Sequence, residues 1–148
     1  MERTLVMIKP DNVDEADTIL QELDELGDRI ETVHIDNLLR GVMEDHYAIY
    51  KGEWHYQHVI DSFTGRQVVV AVYEGESVIR RIKDAIGPTD PTSEGSKDTI
   101  RARHYKSSAR HIRLKEGTIF PNVIHVSDSL EEAQREIRVW ERYLNLST

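Results

Sequence analysis

Four short apolar runs, set between amphipathic stretches and one long polar loop, predict an α+β fold for this 148-residue chain. Three observations carry that reading. The coarse order is β-α-β-α-α-β-α-loop-β-α, so strand and helix signals alternate. Only four strands are available. That favours a ferredoxin-like βαββαβ arrangement, a four-stranded antiparallel sheet with helices packed on it, expected here on one side. A doubly wound α/β rival would need glycine-rich phosphate loops after its strands, and neither GxGxxG nor GxxxxGKS/T occurs. The length suits one domain spanning residues 1–148 with a full core.

Thr4-Leu-Val-Met-Ile8 is a short buried strand, broken by Lys9-Pro10-Asp11-Asn12. Ile19, Leu23 and Leu26 then recur at helical spacing, with Gly27 where a helix C-cap belongs. Ile30, Val33, Ile35 and Leu38-Leu39 place a second strand within 29–39. Residues 43–50 and 53–64 are two short helices, the second with Tyr56, Val59, Ile60 and Phe63 on one face and Gly65 at its end. Gln67-Val-Val-Val-Ala-Val-Tyr73 is the clearest strand. Its unbroken apolar run predicts a central position covered on both faces.

Val78, Ile79, Ile82 and Ile86 form an amphipathic helix stopped by Gly87-Pro88. Residues 88–98 are loop, 99–105 a helical turn, and 106–121 mostly basic, polar loop. Val123 to Val126 is a short strand. Ser129 and Glu132 are spaced as a capping box for a last helix carrying Leu130, Ala133, Ile137 and Trp140. No internal repeat or linker is present.

Hydrophobic residues at 39% and charged residues at 31% describe a globular chain rather than a disordered one. No apolar run approaches a membrane span, and no basic-then-apolar leader precedes the first strand. The absence of cysteine excludes disulfides and thiolate metal sites and suits a cytoplasmic location. The net charge of −8 argues against nucleic acid as a partner. Ten of the nineteen Lys and Arg residues nevertheless fall between Arg80 and Lys115, against four acids there. A basic island on an acidic chain points to a local anionic ligand, or to an interface.

The segment Asn122-Val-Ile-His125-Val-Ser-Asp-Ser129 ends an apolar run in a histidine and starts a helix at once. A neutral imidazole is a nucleophile near pH 7 and can take a phosphoryl group directly. Around it stand Met7-Ile-Lys9-Pro-Asp11, Tyr73-Glu-Gly75, Gly87-Pro-Thr89-Asp-Pro91, Thr99-Ile-Arg101 and Glu136. In this order the set resembles the nucleoside diphosphate kinases, over residues 2 to about 140. NxxHxSD together with IKPD and TIR is highly specific, whereas each alone is weak.

The resemblance implies a ping-pong phosphoryl transfer through a phosphohistidine on His125, from a nucleoside triphosphate to a nucleoside diphosphate. By the same resemblance Lys9, Thr89 and Arg101 contact phosphate, Asn122 contacts sugar and phosphate, and Tyr47 lies near the histidine. Ser127 and Glu136 surround and orient His125. It further implies Mg²⁺ carried on the nucleotide phosphates, with no protein metal cage, and a homo-oligomer, a hexamer built from dimers. Several residues depart from the family pattern. His55 stands where an aromatic base-stacking residue is usual, beside Val59. Lys83 replaces an arginine, Asn12 and Val126 replace glycines, and the 102–121 loop is long.

Those departures define one alternative, a catalytically weak nucleotide-binding regulatory domain of the same fold. A second is a metal protein using His55, His58, His104 and His111. His55-x-x-His58 has helical spacing, but the sequence shows no third ligand at a diagnostic offset.

Overall fold

The computed structural model describes residues 1–93, 98–106, 112–114, 117–119 and 122–146. Elements in chain order are β1 (Glu2–Ile8), a 3₁₀ turn (Pro10–Glu15), α1 (Ala16–Leu23), β2 (Asp28–Ile35) and α2 (Arg40–His46). They continue with α3 (Tyr56–Phe63), β3 (Val68–Gly75), α4 (Val78–Ile86), α5 (Ile100–His104), β4 (Ile112–Leu114), β5 (Gly117–Ile119), β6 (Ile124–Val126) and α6 (Leu130–Val139).

The main sheet has four strands in the order β2-β3-β1-β6. Every pairing in it is antiparallel, with a bulge between Arg29 and Glu31. This is the predicted α+β, ferredoxin-like topology. The helices, however, cover both faces. Val6, Ile8, Val69, Ala71 and Tyr73 face α1 and α4. Leu5, Met7, Val68 and Val70 face a second core with Val42, Met43, Ile60, Phe63 and Trp140 from the α2, α3 and α6 side. The reason lies in β1 and β3 themselves. Both are apolar at successive positions, and successive side chains point to opposite faces, so each face demands a cover.

Three local expectations are corrected. α1 ends at Leu23, so Gly27 is no C-cap. It is a close-approach glycine, because a Cβ there would lie 2.7 Å from Val78 Cγ2. Gly87 does follow a helix end, at φ +89°, and a Cβ on it would meet Thr99 at 2.6 Å. At α6, Ser129 Oγ accepts the Glu132 N–H at 3.1 Å, but the Glu132 carboxylate turns to Arg135, giving half of the capping box. Within the predicted 106–121 loop, β4 and β5 pair antiparallel; residues 107–111, 115–116 and 120–121 lie outside the described residues.

The start of the basic segment is held by the acidic first turns of the same chain. Arg103 pairs with Glu22, and Lys106 reaches Asp14 Oδ1 and the Asp11 carbonyl, both at 2.8 Å. His104 bridges Glu15 and Glu22, and buried Asn12 donates to the His104 carbonyl at 2.9 Å. Asn12 therefore does work no glycine could do. Among the described residues no helix is long and apolar enough to cross a membrane.

Candidate active site

His125 is the middle residue of β6 and pairs with Met7 of β1. Alternation then puts Met7, Lys9 and His125 on one face, toward Phe63, whose ring centroid lies 5.8 Å from Lys9 Nζ. A cavity of about 1090 Å³ opens there. Lys9, Tyr47, His55, Val59, Lys83, Thr89, Arg101, Asn122 and His125 all line it, as does Val126. Ser127 and Glu136 are buried next to His125 rather than in the cavity wall.

The imidazole is wired from behind. His125 Nε2 lies 3.0 Å from Glu136 Oε1, which also accepts the Ser127 hydroxyl at 2.7 Å. Ser127 Oγ in turn accepts the Leu5 N–H at 3.4 Å, so β1 helps place it. A carboxylate only accepts, so Nε2 carries the proton and Nδ1 keeps the lone pair. Burial, then the charges of Lys9 and Arg101, push the His125 pKa down to about 3. The ring is neutral at pH 7, the form a nucleophile needs. Burial also raises the Glu136 carboxyl, while His46 and the Ser127 hydrogen bond hold it down.

The cationic side is equally constrained. Lys9 Nζ donates to Asn122 Oδ1, and Asn122 Nδ2 donates to the Thr89 carbonyl at 2.8 Å. Burial and Arg101 lower the Lys9 pKa to about 7. Arg101 donates to the carbonyls of Asn122, Gly87 and Ile124 at 3.1, 2.8 and 2.8 Å. Burial lowers it to about 10, so it stays charged at neutral pH. Its fork ties β6, the end of α4 and the Asn122 turn together.

Val123 stores strain between these groups. Its φ is +75°, and Ile124 N donates to the Asn122 carbonyl at 2.8 Å, the geometry of a γ-turn. A β-branched residue resists that region. Complete burial of Val123 and the 2.9 Å bond from Lys9 N to its carbonyl hold it there.

The other end of the cavity is aromatic. The His55 ring centroid lies 5.7 Å from Tyr50 and 5.2 Å from Trp54, with Val59 alongside in the cavity wall. Trp54 is 41% exposed. At the rim, Lys83 pairs with Asp128 at 3.2 Å, both half-exposed.

Sequence reasoning missed Tyr50, Trp54 and, above all, His46. Its ring packs edge-on against His125 at 4.5 Å between centroids. The adjacent Tyr47, which was predicted, is the residue that drew no attention to its neighbour. Among the described residues, the group of metal-ligating side chains brought together is His46, His125 and Glu136, their candidate atoms within 4.8 Å of one another. His55, His58 and His104 do not assemble such a group, and His111 lies outside the described residues. The trio offers poor ligands, because Nε2 of His125 is protonated toward Glu136 and His46 Nδ1 accepts the Trp140 indole N–H at 2.9 Å.

Known proteins agree with this geometry. The family model described as nucleoside diphosphate kinase matches residues 2–143. A nucleoside diphosphate kinase of Saccharolobus islandicus is 34% identical over 142 residues, covering 95% of this chain and 94% of the relative. A thioredoxin domain-containing protein 3 homolog of Ciona intestinalis is 32% identical, but the matched 94% of this chain spans 20% of that longer protein. The solved nucleoside diphosphate kinase of Aquifex aeolicus superposes with a TM-score of 0.78 at 28% identity, over 93% of each chain. The chain belongs to the nucleoside diphosphate kinase family.

Proposed function

We propose that this protein is a nucleoside diphosphate kinase working by ping-pong transfer through a phosphohistidine on His125. The observation that carries the reading is a neutral His125 with Nε2 committed to Glu136, beside Lys9 and Arg101. In the first half-reaction the Nδ1 lone pair attacks the γ-phosphorus of a nucleoside triphosphate. An N–P bond forms, the bond to the β-phosphate oxygen breaks, and the nucleoside diphosphate leaves with the electron pair. The acceptor diphosphate reverses these steps. Lys9 and Arg101 offset charge on the transferring oxygens, with Thr89 at the same wall. Asn122 orients Lys9 and contacts the sugar. Ser127 and Glu136 hold the tautomer, and Tyr47 packs beside the ring. The base lies between His55 and Val59, and Lys83 serves the phosphates as a point charge.

Mg²⁺ fits this cleft as a cation brought by the nucleotide. Asp11, Asp61 and Asp128 line the cavity as separate carboxylates rather than as a cage. When bound, such a cation would supply positive charge that offsets the negative charge of the nucleotide phosphates. The weak regulatory alternative gains nothing from the geometry, since Val126, Lys83 and His55 interrupt none of the bonds around His125. We place residues 1–148 in a single domain, in the cytoplasm, within a hexamer built from dimers; light scattering tests the assembly. The activity test is incubation with γ-labelled ATP and Mg²⁺, then with a second diphosphate. Acid-labile label on the protein that passes to the acceptor supports the proposal, and no label refutes it.

A further inference from the structure

His46 is a buried polar group that the proposed mechanism leaves unused. It is 1% exposed, and nothing in its composition or spacing singled it out. Its surroundings settle its tautomer. The Trp140 indole is a donor only, and its N–H reaches His46 Nδ1 at 2.9 Å. Nδ1 must therefore accept, and in the neutral ring Nε2 carries the hydrogen. Burial, reinforced by His125, depresses the His46 pKa well below the usual histidine value, so the ring is neutral. That Nε2–H has no partner among the described residues. An orphan donor in a dry site is costly, and such groups ask for a reason.

The reason lies beside it. The His46 and His125 rings pack edge to face, and a His46 nitrogen, a His125 nitrogen and a Glu136 oxygen all lie within 4.8 Å. Glu136 Oε1 is taken by His125 and Ser127. We propose that His46 is a positioning residue for the phosphoryl-accepting histidine, presenting a fixed N–H dipole that keeps the Glu136 carboxylate an acceptor and so keeps the His125 proton on Nε2. The inference rests on the proposed role of His125 and deepens it.

The consequence follows from hydrogen-bond logic. An ionised Glu136 takes the Nε2–H and leaves Nδ1 nucleophilic. A protonated Glu136 would donate to Nε2 instead, moving the ring proton to Nδ1 and silencing it. Burial pushes the Glu136 carboxyl toward protonation; a neutral His46, one nitrogen of which lies within 4.8 Å of the carboxylate, opposes that through its N–H dipole alone. The other charged or titratable groups around the pair are Lys9 at the end of β1, Tyr47 after α2, Arg101 on α5, Asp128 after β6 and Arg135 on α6. None of them is altered by replacing His46.

The test replaces His46 while keeping its volume or its donor. His46→Phe keeps a ring without nitrogen; His46→Gln keeps an N–H. Two readouts are followed against pH, the rate of phosphoenzyme formation and the ¹⁵N imidazole spectrum of His125 in the ligand-free protein. The spectrum needs no activity, so it separates this inference from the proposed reaction. For His46→Phe the acid limb of the rate should move toward neutrality by about one unit, the nucleotide KM should stay within twofold, and kcat at pH 7 should fall about tenfold, the scale of other orienting partners. The loss of the Nε2–H tautomer should move by the same amount. His46→Gln should restore most of the wild-type profile. A His46→Phe protein that is slower but has wild-type pH dependence in both readouts would reduce His46 to packing and overturn the proposal. If His46→Phe does not fold, Trp140→Phe takes its place. It frees the His46 tautomer and should move the same limb in the same direction; an unmoved limb overturns the proposal equally.

Discussion

The His125 end of the cleft is held by hydrogen bonds, and the His55 end by ring contacts. At the first end Ser127, Glu136, Lys9, Asn122 and Arg101 each bond another side chain or a backbone carbonyl. At the second, Tyr50, Trp54 and His55 touch through tilted or edge-on rings, and Trp54 reaches solvent. The difference matches what each end is asked to do. Phosphoryl transfer depends on placement to a fraction of an ångström. Stacking on a base tolerates slack, because the face of any ring will serve. Substitutions at the first end should therefore act on kcat, and those at the second on KM.

The largest effect expected is at the nucleophile. His125→Ala should abolish acid-labile phosphate on the protein and leave circular dichroism unchanged. Label persisting in that variant would move the chemistry to another histidine and dissolve the contrast between the two ends.

Next come the cations. Lys9→Ala and Arg101→Ala should each slow transfer by about 10²-fold, the usual scale for losing one preorganised electrostatic partner. They should differ in stability. Arg101 serves three carbonyls, so its removal should also cost at least about 2 kcal/mol in denaturant unfolding. Rates within twofold of wild type for both variants would dismiss the phosphate site.

The pH dependence sharpens the same point. Lys9 is lowered from 10.5 to about 7, so in the free protein it loses its charge as pH rises through 7. Phosphoenzyme formation at low nucleotide should fall above that pH, and Lys9→Arg should flatten the fall. Stability runs the other way for His125, whose pKa drops from 6.5 to about 3. The unfolded chain binds the extra proton across that window, so stability falls as pH drops from 6.5 toward 3. Melting curves of His125→Ala should show a shallower loss.

Much of this was readable beforehand, for reasons that differ by region. The strands announced themselves because β1 and β3 are continuously apolar. The same continuity implied helices on both faces, yet the four-strand count drew attention to one. Lys9, Arg101 and the pair Asn122 and His125 come from three separate segments. Only the resemblance joined them, and the register of His125 with Met7 explains why they meet. Val123 at positive φ left no trace, since valine is the last residue to expect there. His46 was invisible because a buried histidine looks like any core polar residue until its neighbours are known.

The smallest effect should come from the aromatic end. His55→Phe should tighten nucleotide binding and lower KM by less than about tenfold, with kcat within twofold, because it adds stacking area only. A kcat change exceeding the KM change would show that the two ends are not separable.

The central claim is that Glu136 fixes the proton on His125 Nε2 and leaves Nδ1 to take the phosphate. ¹H–¹⁵N and ³¹P correlation spectra of the phosphorylated protein test it directly. Phosphorus coupled to Nδ1 of His125, with Nε2 still protonated, is the expected result. Phosphorus on Nε2 would contradict it, because that nitrogen could not then bond Glu136.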